Sequence, residues 1–363
     1  METKRIYIKD TEHVRDEELL EAAEIIRRGG LVAFPTETVY GLGGNALDED
    51  AAKKIYAAKG RPSDNPLIAH VSCPEEVEPL VEYMPEAGKK LMEAFWPGPL
   101  TMIFPKSSRV PYGTTGGLET VAVRMPSDPV ANRLIALAGV PIAAPSANTS
   151  GRPSPTTADH VWQDMNGRID MIIDGGTVGI GVESTIVDVS GQVPVVLRPG
   201  AITMEMLRET LGEVTIDPAI LGPMAEGVRP KAPGMKYKHY APKAELTLVE
   251  PAMEDKKASM TQEQVERMVS MVWKLAKEQI DAGVRVGIIC TDESRAAYPE
   301  GIVRSIGARK SQESVAHNLY GVLREFDDLG VDYIYSESFS RDHLGQAIMN
   351  RLSKAAGYKI VRV

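Results

Sequence analysis

The side chains best suited to chemistry lie in two short phrases, Lys59-Gly60-Arg61-Pro62-Ser63-Asp64-Asn65-Pro66 and Ser150-Gly151-Arg152-Pro153-Ser154. Each sets a guanidinium between a glycine and a proline, with a serine following. Proline fixes φ and removes an amide, glycine lets the backbone approach a ligand, and Lys and Arg supply permanent positive charge. Such loops suit a phosphorylated nucleotide. Arg-Pro and Pro-Ser are also ordinary turn punctuation. Their recurrence, together with Arg198-Pro199-Gly200 and Arg229-Pro230, points to an anion-binding cavity built from several loops.

Other chemistries lack their residues. There is no GxSxG elbow, and neither Cys73 nor Cys290 has a neighbouring histidine. The histidines, His13, His70, His160, His239, His317 and His343, are scattered, with no HExxH and no ligand spacing. No Walker A loop is present. Gly41, Gly43 and Ala46 satisfy a GxGxxA spacing, but no second strand ends in a suitable acid, so this stretch reads as a flexible loop. What remains is a set of hydroxyl, amide and cationic side chains on loops that follow strands: Thr36, Thr38, Lys59, Arg61, Asn65, Thr120, Arg124, Ser146, Asn148, Ser154, Ser184 and Arg198. Catalysis by such a set rests on positioning and on charge stabilisation of a phosphoryl or nucleotidyl centre.

The elements that must position these residues are short. Asp16 reads as an N-cap with Glu17 and Glu18 in the first turn, and Gly29-Gly30 stops the helix. Strands are expected at 31–34, 67–71, 100–104, 121–124, 141–144, 171–173, 185–187 and 195–197. Helices are expected at about 50–58, 86–95, 129–138 and 204–211, with a Gly-rich loop at 113–117. Several strands are consecutive, which predicts an α/β fold with a twisted mixed sheet in residues 1–212. Periodicity fails over 213–244, a Pro/Gly-rich linker, yet that linker holds the basic and aromatic run Lys231 to Tyr240. Strands and helices alternate through 245–363, a small doubly wound, Rossmann-like domain with no phosphate-binding fingerprint and no catalytic role assigned to it.

Composition sets the class. The chain has 363 residues, 43% hydrophobic and 25% charged, an ordinary globular mixture with enough apolar material for more than one core. Its net charge of −9 argues against a whole-surface grip on nucleic acid or anionic membrane, leaving room for a local basic cleft. Two cysteines without a CxxC indicate neither a disulfide framework nor a zinc knuckle. The N-terminus lacks the apolar core of a signal peptide and no apolar run reaches membrane-spanning length, so the expectation is a cytoplasmic chain.

The pairing of Lys59-Gly60-Arg61 with Ser146-Ala147-Asn148 resembles the KxR and SxN signature of the YrdC-like threonylcarbamoyl-AMP synthases. Three further phrases match that family: Phe34 to Leu42, Arg61 to Leu67, and Val182 to Asp188. The similarity covers roughly residues 15–212, and the tail resembles the family's longer, two-domain branch. The resemblance implies a YrdC-like domain with a basic concave cavity. It also implies a reaction of L-threonine, bicarbonate and ATP giving L-threonylcarbamoyl-adenylate and pyrophosphate. The product would serve the modification of adenosine 37 in tRNAs reading ANN codons, with tRNA or a transferase as a partner downstream and Mg2+ held mainly by phosphates and water.

By the same resemblance, Lys59 and Arg61 neutralise phosphate charge during transfer, while Asn65, Thr120, Ser146, Asn148, Ser154 and Arg198 bind the nucleotide. Arg124 pairs with the threonine carboxylate. Thr36, Thr38, His70, Ala144 and Ser184 complete the amino-acid pocket, and Tyr240 folds over the nucleotide from the linker. Taken without the family, several of these read otherwise. His70 suits a satisfied core histidine, Arg124 half of a surface ion pair, and Ser154 a turn cap. Ser184 would be a plain strand residue, and Tyr240 part of a spacer. Two other functions share features. A non-catalytic double-stranded RNA or tRNA binder could use the same basic loops. A hydrogenase-maturation carbamoyltransferase shares the module but needs a zinc finger that two cysteines cannot supply.

Overall fold

The computed structural model describes residues 2–220, 222, 230–233, 239–252 and 260–363. Arg229 and residues 234–238 of the basic aromatic run lie outside the described residues. The chain divides into two compact units, Met1–Ser150 with Ser154–Tyr237, and Gly151–Pro153 with Lys238–Val363.

In chain order the first unit contains β1 (Lys4–Tyr7), α1 (Asp16–Arg27), β2 (Val32–Phe34), β3 (Gly41–Asn45), α2 (Glu49–Lys59) and β4 (Ile68–His70). There follow α3 (Glu86–Phe95), β5 (Leu100–Pro105), α4 (Tyr112–Thr115), β6 (Thr120–Arg124), α5 (Pro129–Ala138) and β7 (Ile142–Ala143). The unit closes with α6 (Ala158–Met165), β8 (Met171–Asp174), β9 (Thr185–Asp188), β10 (Val195–Arg198), α7 (Met204–Leu211) and β11 (Thr215–Ile216). Its strands form one 11-stranded mixed sheet in the order β1-β8-β2-β3-β7-β4-β6-β5-β9-β10-β11.

Local chemistry accounts for the helix ends. Arg15, not Asp16, is the N-cap of α1, because the Glu18 carboxylate turns back to accept from the Arg15 amide at 3.1 Å and closes the first turn. Asp48 caps α2 by accepting from the Asp50 amide at 2.9 Å, and Gly60 ends it in the left-handed region. That ending leaves Lys59 on the last helical turn, directed by a rigid element.

The stretch read as a flexible loop, 41–45, is a buried strand, β3. Its glycines serve packing: a Cβ on Gly43 would come within 2.7 Å of both Ile142 Cγ2 and Phe34 Cε1. Their absence lets β3 sit against those side chains.

The sheet is packed on both faces. Leu19, Ala22 and Ile26 of α1 and Leu134 and Ile135 of α5 cover Val32, Phe34, Ile142, Met171 and Ile173. On the other face, Ile55 of α2, Leu91 of α3, Met165 of α6 and Leu207 of α7 join Leu42, Ala69, Met102 and Val123. Over β4, β6, β5 and β9 the first face carries a small apolar floor, Ile68, Ile103, Ala122 and Ile186, packed with Ala232. The polar residues rise from this floor.

The second unit contains β12 (Glu245–Glu250), α8 (Gln262–Asp281), β13 (Val286–Cys290), β14 (Ile302–Ser305), α9 (Gln312–Leu329), β15 (Tyr333–Glu337), α10 (Gly345–Ala355) and β16 (Ile360–Arg362). Its strands pair in parallel in the order β14-β13-β15-β12-β16, the doubly wound arrangement expected of alternating strands and helices. Met268, Val272 and Ala276 of α8 pack on Val249, Val286, Ile288 and Tyr335. Among the described residues no helix is long and apolar enough to cross a membrane.

Candidate active site

Register brings the predicted residues together. His70 stands opposite Arg124 across β4 and β6, and Arg124 opposite Thr101 across β6 and β5. Residues directly opposite share a face of the sheet, so these three side chains form one row. Thr120 lies four residues before Arg124 on the same strand, hence on the same face and about 13 Å along it.

Arg124 anchors one end of the site. Its Nη1 donates to Thr38 Oγ1 at 2.9 Å, and its Nη2 lies 2.7 Å from Glu37 Oε1. The ion pair is 4% and 14% exposed, so the surface pairing the strand end suggested is in fact a buried one. Contact with Glu37 is off the donor axis, and among the described residues neither Nε nor Nη2 of Arg124 makes an aligned hydrogen bond. Burial pushes the Glu37 carboxyl up, and the adjacent guanidinium more than reverses this, holding it below the usual carboxylate range.

Thr36 and Thr38 extend the network with assignable protons. The Thr36 hydroxyl donates to Val39 O at 2.6 Å, so at its 2.9 Å contact with Thr38 it must accept. Thr38 therefore donates to Thr36 and accepts from Arg124, which fixes the guanidinium in its plane.

His70 is 3% exposed, and two carbonyls, Ile68 O at 3.0 Å and Ile142 O at 3.3 Å, converge on Nδ1. Carbonyls only accept, so Nδ1 carries the hydrogen and Nε2 is the bare lone pair. Burial and the Arg124 charge lower the ring's pKa to about 3, so it is neutral at physiological pH. The core-histidine expectation holds for Nδ1, while Nε2 makes no hydrogen bond among the described residues.

Ser184 Oγ is 2.8 Å from Thr101 Oγ1. Arg198 stands at a register shift in β10 and donates from Nε to Ser184 O at 3.0 Å and from Nη2 to Ser184 Oγ at 3.1 Å. A bulge re-aims a side chain, and here it turns an arginine expected at the nucleotide toward the serine expected at the amino acid. Ala144 is buried at the end of β7, its amide donating to Ile68 O at 2.9 Å.

The loop 145–150 is held from within. Ser146 bridges Gly41 at the start of β3. Lys59 Nζ donates to Ser146 O and to Asn148 O, the latter at 2.6 Å, and lies 3.5 Å from Asn148 Oδ1. Ser146 Oγ donates to that Oδ1 at 2.5 Å, and Asn148 Nδ2 to Thr149 O at 2.8 Å. Lys59 is buried, so its charge braces this loop from within. Arg61 is partly buried, with Nη2 3.5 Å from Pro66 O. Asn65 is 1% exposed, yet among the described residues neither its Nδ2 nor its Oδ1 has a partner. A buried amide with nothing to bind costs about 1–3 kcal/mol, a cost that a ligand's donors and acceptors would remove. Ser154 caps no helix; its hydroxyl donates to buried Glu183 Oε1 at 2.5 Å.

Tyr240 belongs to the second unit. It has φ of 65°, is buried, and stacks on Tyr320 with ring centroids 5.4 Å apart. Glu37, Thr101 and Glu183 are the residues that sequence reasoning did not select, although Glu37 and Glu183 sit inside quoted phrases. The signal was there in the form of carboxylates placed beside cationic and hydroxylic residues.

A buried guanidinium, a neutral imidazole and hydroxyls on one face of the sheet, with a lysine-braced loop, are groups chemically suited to carboxylates and phosphates. The family described as Telomere recombination, Sua5/YciO/YrdC, matches residues 24–200, and the threonylcarbamoyl-AMP synthase C-terminal domain matches residues 202–357. Threonylcarbamoyl-AMP synthases of Bacillus subtilis and Pyrococcus abyssi are each 47% identical to this chain, covering 100% and 99% of both sequences respectively. The crystal structure of Pyrococcus abyssi Sua5 complexed with L-threonine superposes with a TM-score of 0.89 at 44% identity, covering 100% of each chain. The chain belongs to the threonylcarbamoyl-AMP synthase family, in its long two-domain form.

Proposed function

We propose that this chain is a nucleotidyltransferase that converts L-threonine, bicarbonate and ATP into L-threonylcarbamoyl-adenylate and pyrophosphate. The activity named for its full-length relatives supports this reading, as does the threonine bound by one of them. The single observation that carries it is the Nε–Nη2 edge of Arg124, a buried bidentate fork with no aligned hydrogen bond among the described residues. Side-on forks of this kind match a carboxylate.

Threonine's carboxylate takes that edge, and its hydroxyl and amine meet Thr38, Ser184 and His70. The amine must shed a proton before it reacts. Its lone pair then attacks the carbon of bicarbonate, the C–OH bond breaks, the departing hydroxide takes the proton lost from nitrogen and leaves as water, and a carbamate forms. His70 Nε2 accepts a hydrogen bond from the amine and orients it. A pKa of about 3 makes this ring an acceptor rather than a store of protons. One carbamate oxygen attacks the α-phosphorus, and the bond to the β-phosphate oxygen breaks with its electron pair on pyrophosphate. Lys59 and Arg61 offset the charge that develops, while Asn65, Thr120, Ser146, Asn148 and Ser154 hold the nucleotide. The interval of about 13 Å between Arg124 and Thr120 suits an amino acid joined end to end with an adenylate.

Magnesium enters with the triphosphate as part of the substrate. Phosphates and water would hold it, as this ion prefers. The adenylate would pass to the modification of adenosine 37 in tRNAs reading ANN codons, a role that suits a cytoplasmic enzyme.

Pyrophosphate release tests the reading. It is expected only when threonine, bicarbonate and ATP are all present. Release that ignores threonine or bicarbonate overturns it, as does salt-sensitive RNA retention without turnover.

A further inference from the structure

One face of α9 carries Tyr320, Arg324 and Asp327, spaced i, i+4 and i+7. All three act on two short segments of the same unit. Arg324 is 1% exposed and donates from Nε and Nη2, at 3.1 and 2.7 Å, to the carbonyl of Pro153. The Asp327 carboxylate accepts from the Lys243 amide at 2.6 Å and lies 3.5 Å from Arg152 Nη2. Tyr320 stacks on Tyr240, over whose ring the Arg351 guanidinium sits at 5.8 Å. The two segments are also tied to each other, since the Ala241 amide donates to Gly151 O at 2.9 Å.

Burying a guanidinium against a backbone carbonyl is costly, because its charge must be desolvated, so the turn it holds is held firmly. What it holds is the tripeptide Gly151–Pro153, which the chain continues directly into Ser154 on one side and, through Ser150 and Thr149, into Asn148 on the other. The second segment carries Tyr240 itself.

We propose that Arg324 and Asp327 are positioning residues for nucleotide binding: from a single helical stripe they fix the tripeptide Gly151–Pro153, and with it the backbone that continues to Asn148 and to Ser154. The proposal rests on the nucleotide roles given above to Asn148 and Ser154.

The test is calorimetric titration of the full-length chain with a non-hydrolysable ATP analogue and, separately, with threonine. Arg324→Lys keeps a charge and one donor, Arg324→Met keeps the stem and loses both, and Asp327→Asn keeps the acceptor for Lys243 while losing the ion pair. Because Arg324→Met risks unfolding, thermal melting accompanies each variant, and Asp327→Asn serves where it unfolds. Analogue affinity is expected to fall about tenfold in Asp327→Asn and Arg324→Met, with Arg324→Lys in between and threonine affinity within about twofold of the native chain. Folded variants that bind the analogue as the native chain does overturn the proposal and leave the proposed reaction standing. Equal losses for analogue and threonine overturn it too, since they signal general damage. A native chain that binds the analogue but releases no pyrophosphate refutes the reaction alone, and one that binds no analogue refutes both.

Discussion

Replacing His70 with asparagine gives a stability change whose size and sign follow from the structure. The ring is neutral because burial and Arg124 lower its pKa to about 3, whereas an unfolded histidine titrates near 6.5. Between those values the unfolded chain binds the extra proton and the folded chain does not, so stability falls as pH drops through that window. From pH 7.5 to pH 5 the loss from this one group is about 2 kcal/mol, nearing its full slope of about 1.4 kcal/mol per pH unit below pH 6. Asparagine can still donate an N–H toward Ile68 O and Ile142 O, and it does not titrate. Urea unfolding read by tryptophan fluorescence checks this. Trp96 and Trp162 report the first unit once Trp273 of the second is changed to phenylalanine in both proteins. The native chain should lose about 2 kcal/mol more than the variant between pH 7.5 and pH 5. Parallel curves would refute the claim that His70 is held neutral.

Other residues lend themselves to shorter tests. Asn65→Leu removes a buried amide that has no partner among the described residues, so it should leave the ligand-free chain as stable or more stable, by up to about 1–3 kcal/mol, while weakening ATP-analogue binding. Destabilisation of the free chain would show that the amide is satisfied. Arg124→Lys keeps the charge opposite Glu37 but loses the fork, so KM for threonine should rise at least about tenfold with KM for ATP little changed. Gly43→Ala places a methyl 2.7 Å from Ile142 and Phe34, and chemical denaturation should register a loss of about 1–3 kcal/mol.

Much of the architecture was legible in the sequence because its elements carry local signals. Glu86–Phe95, Pro129–Ala138 and Met204–Leu211 begin and end where the periodicity and the caps say they should. The hidden elements had no such signal. Lys4–Tyr7 is a mostly exposed edge strand, and Ala158–Met165 is a two-turn helix following a Pro-rich loop. Gly41–Asn45 reads as a loop because three of its five residues are glycine, and only the packing of Phe34 and Ile142 explains the choice. The candidate site divides in the same way. Residue types and the family phrases pointed to Lys59, Arg124 and Ser146 as candidates, but not to Lys59 spending donors on backbone carbonyls. Nor could spacing reveal that Arg198 would turn at a bulge toward Ser184, or that Glu37 would share the burial of Arg124. Those outcomes depend on register between strands far apart in the chain.

In the proposed reaction, amino acid and nucleotide lie side by side on one face of the first sheet. Crystals of the full chain soaked with threonine, bicarbonate and a non-hydrolysable ATP analogue test this directly. Electron density for the threonine carboxylate on the Arg124 fork, continuous with an adenylate lying on Asn65 and the loop that Lys59 braces, is the predicted result. Threonine and nucleotide bound on different faces of the sheet, or an Arg124 fork left without a carboxylate at saturating threonine, would contradict it.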